Sequence, residues 1–145
     1  MPNPTMAKFD HPHTQIAETS SWSVLLRPGQ VTLGSLVLVA KEDAEAFGDL
    51  SPAAFADLGN VVRKVEAMLR AFVGFERINY LMLMMVDPDV HFHVIPRYEG
   101  ARSFEGTEFP DAGWPAQPAL NQATEPEPET LARLRDALAA HWERA

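Results

Sequence analysis

The chain has 145 residues and no cysteine, with 12 basic against 20 acidic side chains and a formal charge of −8. That length makes one ordinary domain, and 46% hydrophobic residues are enough for a real core. The composition excludes disulfides, thiolate metal sites and a cysteine nucleophile, and the charge argues against nucleic-acid polymers and anionic membranes as partners.

No apolar run reaches the roughly 18 residues of a membrane span, and the first fifteen residues lack the apolar region of a secretory signal. The expectation is a cytoplasmic protein. Residues 1–20 are polar and hold three prolines, so they are expected to be irregular. Residues 22–27 (WSVLLR) read as a strand, Pro28-Gly29-Gln30 as a turn, and residues 31–40 (VTLGSLVLVA) as a strand buried on both faces. Residues 41–50 form an acidic loop. Ser51 then caps a helix that opens with Pro52, where proline costs no hydrogen bond. Phe55, Leu58, Val61, Val62, Val65, Met68, Leu69 and Phe72 place one apolar stripe along it, and Gly74 stops it. Residues 77–86 (RINYLMLMMV) read as a second buried strand, with Met82, Met84 and Met85 as core filling. Residues 90–96 (VHFHVIP) alternate like a strand with two different faces. Residues 99–129 read as mostly loop, and residues 129–142 as a short helix through Leu131, Leu134, Leu138 and Trp142. Strands around one long helix, without βαβ alternation, indicate an α+β fold with a mainly antiparallel sheet. The organisation expected is an irregular segment 1–20, a core domain 21–100 and an acidic, proline-rich tail 101–145 packed on it.

The chemistry concentrates at Asp89, His91 and His93. Alternation along a strand puts the three on one face, about 7 Å apart in succession, with Val90, Phe92 and Val94 on the other. Two imidazoles beside a carboxylate titrate near neutral pH. Besides a merely solvated sheet face, two functional readings are open. One imidazole serves as nucleophile or base and the other as hydrogen-bond donor, or His91 and His93 bind a metal with Asp89 or Glu99. The His-x-His and Glu99 pattern loosely echoes a cupin metal motif, but a cupin is almost all β and the helix at 51–72 argues against it.

The segment His91-Phe92-His93-Val94-Ile95-Pro96-Arg97 resembles the end of the signature His-φ-His-φ-His-φ-φ, φ being hydrophobic, of the histidine-triad (HIT) superfamily of nucleotide hydrolases and transferases. The likeness extends upstream. Residues 32–41 (TLGSLVLVAK) are similar to that family's T-P-G-H-x-L-V-I-P-K segment, Asp49-Leu50 fits before the helix, and Asn79 lies near where the family places an asparagine. The resemblance implies a HIT-like α+β fold and a middle histidine, His91, that attacks the α-phosphate of a nucleotide derivative. A covalent nucleotidyl-histidine forms and is passed to water or another acceptor. His93 would bind phosphate oxygens or the leaving group, and Asn79 would bond near the phosphate. The second nitrogen of His91 would be oriented by a backbone carbonyl of its own strand. Arg97, beside the motif, is a candidate phosphate contact, and Lys41 closes the upstream segment as a further candidate. No metal or cofactor is implied. The partners implied are a small nucleotide, of the dinucleoside-polyphosphate or phosphoramidate class, and a second copy of the chain in a homodimer.

The departures from that pattern are specific. The first triad position is Asp89, a carboxylate that could orient the site or repel phosphate. Arg27 stands where the family often ends a strand near an acid that holds the ribose hydroxyls. Ser35 and Ala40 replace a histidine and a proline, and apolar residues 81–86 replace a Gly- and Ser-rich stretch. These features favour a rival reading, a nucleotide-binding module without efficient turnover. His11-Pro12-His13-Thr14-Gln15 is similar to the H-P-H-x-Q motif of galactose-1-phosphate uridylyltransferases, but it precedes the first expected strand and reads as a packing segment. The acidity is localised: residues 42–57 hold five acids and no base, and residues 99–129 seven acids and one base. The remainder is net basic, which admits a small anionic ligand.

Overall fold

The computed structural model describes residues 2–145. Five antiparallel strands form the main sheet: β1 (Gln15–Glu18), β2 (Trp22–Leu26), β3 (Leu36–Ala40), β4 (Arg77–Leu81) and β5 (His91–Arg97), in the spatial order β1-β2-β3-β5-β4. A separate hairpin follows, β6 (Ala101–Phe104) with β7 (Thr107–Pro110). The helices are α1 (Pro4–Lys8), α2 (Pro52–Phe72) and α3 (Pro128–Glu143). The architecture is the α+β, mainly antiparallel one expected.

Alternation divides the main sheet into two faces. Trp22, Val24 and Leu26 of β2, Leu36, Leu38 and Ala40 of β3, and Val94 of β5 share one face and one continuous core with Val61, Val65, Met68 and Leu69 of α2 and Leu134 and Leu138 of α3. The buried positions of α2 recur at three and four residues, so its apolar stripe is spent on this face. Ser51 Oγ accepts from Ala54 N at 3.1 Å and closes the helix start as the Ser-Pro pair indicates. Phe55 leaves the stripe: it is exposed and packs on Phe47 of a 3₁₀ turn. The strand expected at 31–40 begins only at Leu36. Residues before it form a turn bonded to Gln30, whose Oε1 accepts from Gly34 N at 2.8 Å. Gly34 has φ +91°, and a Cβ there would lie 2.9 Å from Leu69, so both backbone and space require glycine.

Two other expectations are corrected. Residues 1–20 are not irregular throughout: Asn3 caps α1, with Oδ1 accepting from Met6 N at 2.9 Å, and β1 joins the main sheet. The strand expected at 77–86 ends at Leu81 on the sheet edge, paired only with β5, and Leu83, Met85 and Val86 turn to the surface rather than fill the core. Residues 99–129 are mostly loop, as expected, and also contain the β6–β7 hairpin. Tyr98 anchors that hairpin: its buried hydroxyl donates to Phe109 O at 2.7 Å and accepts from Leu33 N at 2.8 Å. Burial pushes the phenol up to about 12, so it remains a donor.

Candidate active site

The second face of the sheet carries the chemistry. In register across it lie Leu81, His93, Val37 and Leu25, with His91 opposite Val39. α1 covers this face: Met6 and Phe9 form a small apolar cluster with Leu25, Val37 and Val39. Phe9 also packs against both imidazoles, with ring centroids 6.4 Å from His91 and 5.8 Å from His93. The two imidazoles are 5.3 Å apart, centre to centre, and nearly perpendicular.

His91 is buried, and its Nδ1 lies 2.7 Å from the backbone carbonyl of Asp89. A carbonyl can only accept, so Nδ1 carries the proton and the lone pair is on Nε2. Nε2 has no hydrogen-bond partner among the described residues. His93 is half-buried, and its Nδ1 is enclosed without a partner. Desolvation, reinforced by the Arg27 charge, pushes His93 down to about 4, so its imidazole is neutral at physiological pH.

The two histidines open on a cavity of about 260 Å3 whose wall includes Lys8, Phe9, Arg27, Leu83 and Leu120. Arg27 is thus brought beside the pair. The loop after β4 presents Leu83, Met84, Met85 and Val86 to the cavity, so its wall on that side is apolar.

The other expected site residues are placed differently. The Asp89 carboxylate bonds α1 and not the imidazole: its Oδ2 accepts from Thr5 N at 3.1 Å, while Thr5 Oγ1 accepts from Asp89 N at 3.2 Å. Asp89 therefore orients His91 through its carbonyl and holds the first turn of α1 through its side chain. Lys41, just after β3, bonds Glu18 and the Thr19 carbonyl and lines neither cavity. Arg97 is buried and uses four of its five N–H donors: it donates to both oxygens of Asp111 at 2.7 and 3.0 Å, to Asn79 Oδ1 at 2.8 Å and to Ala116 O at 2.8 Å. Asn79 is the partner of Arg97 rather than a neighbour of the histidines. A cavity of about 770 Å3 lies beside them, and its wall shares no residue with the histidine cavity.

The residues that sequence reading missed are Thr5, Lys8 and Phe9. Their signal was Asn3-Pro4, the same cap-then-proline pair that marks α2 at Ser51-Pro52. Lys8 pairs with Asp87 at 3.0 Å and gives α1 a second attachment to the loop before β5. His11 and Gln15 bond each other at 2.9 Å and line neither cavity. Among the described residues no group of three or more His, Asp or Glu side chains is arranged to hold a metal ion.

No protein-family model and no curated protein matches the chain. Solved structures do. A histidine triad (HIT) protein from Sinorhizobium meliloti superposes with a TM-score of 0.75 at 22% identity, over 97% of this chain and 96% of its own. A histidine triad nucleotide-binding protein from Sulfolobus tokodaii gives 0.69 at 20% identity, over 97% and 90%. A Zn-bound histidine triad family protein from Mycobacterium smegmatis gives 0.61 at 20% identity, over 97% and 94%. The chain has the histidine-triad fold, and the order of strands and helix that suggested it is the order the molecule has.

Proposed function

We propose that the protein is a nucleotide hydrolase or nucleotidyl transferase acting at an α-phosphate through His91, with a dinucleoside polyphosphate or nucleotide phosphoramidate as substrate. The observation that carries this reading is the Nδ1–H of His91 bonded to Asp89 O at 2.7 Å, which leaves Nε2 as the basic nitrogen beside a cavity. A neutral, oriented imidazole is a competent nucleophile. Nε2 attacks the α-phosphorus, a P–N bond forms, and the bond to the leaving group breaks with the electron pair going to that group. Water then attacks the same phosphorus, the P–N bond breaks, and Nε2 recovers its lone pair. His93, neutral beside the nucleophile, is placed to hold a phosphate or leaving-group oxygen by donating a hydrogen bond. Asp89 supports the nucleophile from its backbone, so its difference from histidine leaves the orienting bond intact. The fold shared with a neighbour described as a hypothetical histidine triad nucleotide-binding protein agrees with the reading. So does the free edge of β4, which offers a surface for the second copy of a cytoplasmic homodimer.

The test is turnover of adenylate-linked substrates by the wild type and by His91→Ala. The variant is expected to lose at least about 10³-fold in kcat, and a quenched wild-type reaction to yield a nucleotidyl adduct on His91. Equal turnover in both proteins overturns the mechanism. The Phe9 cover and the apolar 83–86 wall favour one rival, a binding module that retains ligand without turning it over. Nucleotide binding with no adduct and no turnover would select it.

A further inference from the structure

Two nitrogens beside the histidine cavity are buried and have no hydrogen-bond partner: Nε of Arg27 and Nδ1 of His93. Both atoms are sealed from water, and the side chains that carry them line one cavity, so the polar groups of Arg27 and His93 are not satisfied by the protein alone. Arg27 is not free to reach elsewhere. One terminal nitrogen donates to the Gly29 carbonyl two residues on, and its backbone N–H continues the β2–β3 ladder to Ser35 O. The packing there is close: a Cβ on Gly29 would stand 3.3 Å from that nitrogen and 3.2 Å from Ala123. The guanidinium is therefore held on the histidine face with its Nε–H unspent.

The neighbouring charges define what fits. Lys8 is on the same wall but is paired with Asp87. Glu125, from the chain before α3, acts on Arg27 without forming an ion pair with it. A guanidinium has no acceptor atom, and a neutral imidazole carries one N–H, a second donor. Two donor side chains on one cavity wall, one of them cationic, match an oxyanion. Arg27 also lines a second cavity, of about 460 Å3, which shares Lys8, Phe9, Arg27 and Leu120 with the first. The guanidinium stands where the two spaces meet.

We propose that Arg27 and His93 form an anion subsite that takes a second phosphoryl group of the ligand, beside the one presented to His91. This rests on the nucleotide reading for the first phosphoryl group and narrows it to ligands with two. The second group has two possible sources, the next phosphate of a polyphosphate chain or a phosphate on the ribose, where a carboxylate would have bound the unmodified diol.

The experiment is calorimetric titration with AMP, ADP and adenosine 3′,5′-bisphosphate, on the wild type and on Arg27→Gln and Arg27→Lys. The wild type is expected to bind one of the two-phosphoryl ligands at least about tenfold more tightly than AMP. The tighter of the two identifies the source. Arg27→Gln should bring that ratio close to one, and Arg27→Lys, which keeps the charge and loses Nε, should fall between. A wild-type ratio near one, or the same ratio in Arg27→Gln, overturns the subsite. If no nucleotide binds, the nucleotide reading fails separately, and the subsite is read with inorganic pyrophosphate. Its addition should shift the His93 ring resonances in the wild type and not in Arg27→Gln. No shift in either overturns the proposal.

Discussion

The two faces of the five-stranded sheet are built from the same strands by opposite means. One face is closed by α2 and α3, elements of 21 and 16 residues whose apolar stripes interlock with Trp22, Leu36, Leu38 and Val94. Its stability comes from area removed from water. The other face is covered by a helix of five residues and by the chain between β7 and α3, and it is fastened largely by polar bonds: Thr5 to Asp89, Lys8 to Asp87, Arg97 to Asp111 and Asn79. A helix this short cannot hold itself together. The difference teaches that the chemical face is the one built from separable, directional contacts, where a cover can be attached without filling the space that a ligand needs.

The largest expected effect is at the buried ion pair of that polar face. Asp111→Ala leaves the Arg97 guanidinium enclosed and unpaired, and chemical denaturation should show a loss of about 3–5 kcal/mol. The double variant Arg97→Met with Asp111→Ala should recover most of it. A loss below 1 kcal/mol in the single variant would mean that this face is not held by its polar bonds. An intermediate effect is expected from Asp89→Ala. It removes the acceptor of the buried Thr5 N but keeps the carbonyl that orients His91, so stability should fall by about 2 kcal/mol. Amide exchange should rise in α1 while the core face remains protected. The smallest effect is on the pH dependence of stability. His93 sits near 4 in the folded protein, below its ordinary value of 6.5, because of desolvation and Arg27. The unfolded chain therefore takes up a proton that the folded one refuses. The contribution of His93 is full above pH 6.5 and is lost as the pH falls through 4, by about 1 kcal/mol once its partial exposure is allowed for. His93→Gln should flatten the melting temperature in that window relative to the wild type.

Much of the core face was legible in the sequence because its signals are local. Ser51-Pro52 and the three-and-four spacing to Phe72 specify α2 from within the helix, and alternation alone sets His91 and His93 on one side of β5. The polar face was less legible because its partners are distant in sequence. Nothing near Arg97 indicates that Asp111 and Asn79 will occupy it, and nothing near Asp89 indicates Thr5. The acceptor that orients His91 is a backbone carbonyl, present at every position and so invisible in a residue pattern. The apolar run 82–86 divides for a related reason: Met82 and Met84 pack against the core as expected, while Leu83, Met85 and Val86 stand exposed at the wall of the histidine cavity, and apolar character alone does not tell a core strand from such a loop.

The bond between Thr5 and Asp89 spans 84 positions. Closing a loop of that size is entropically costly, so such contacts form after the local ones are in place. Residues 3–8 are thus among the last to find their place, and the histidine cavity acquires its wall only when they do. A change just ahead of α1 therefore acts on the reactive face, and it is expected to alter ligand binding while the core face melts at the same temperature.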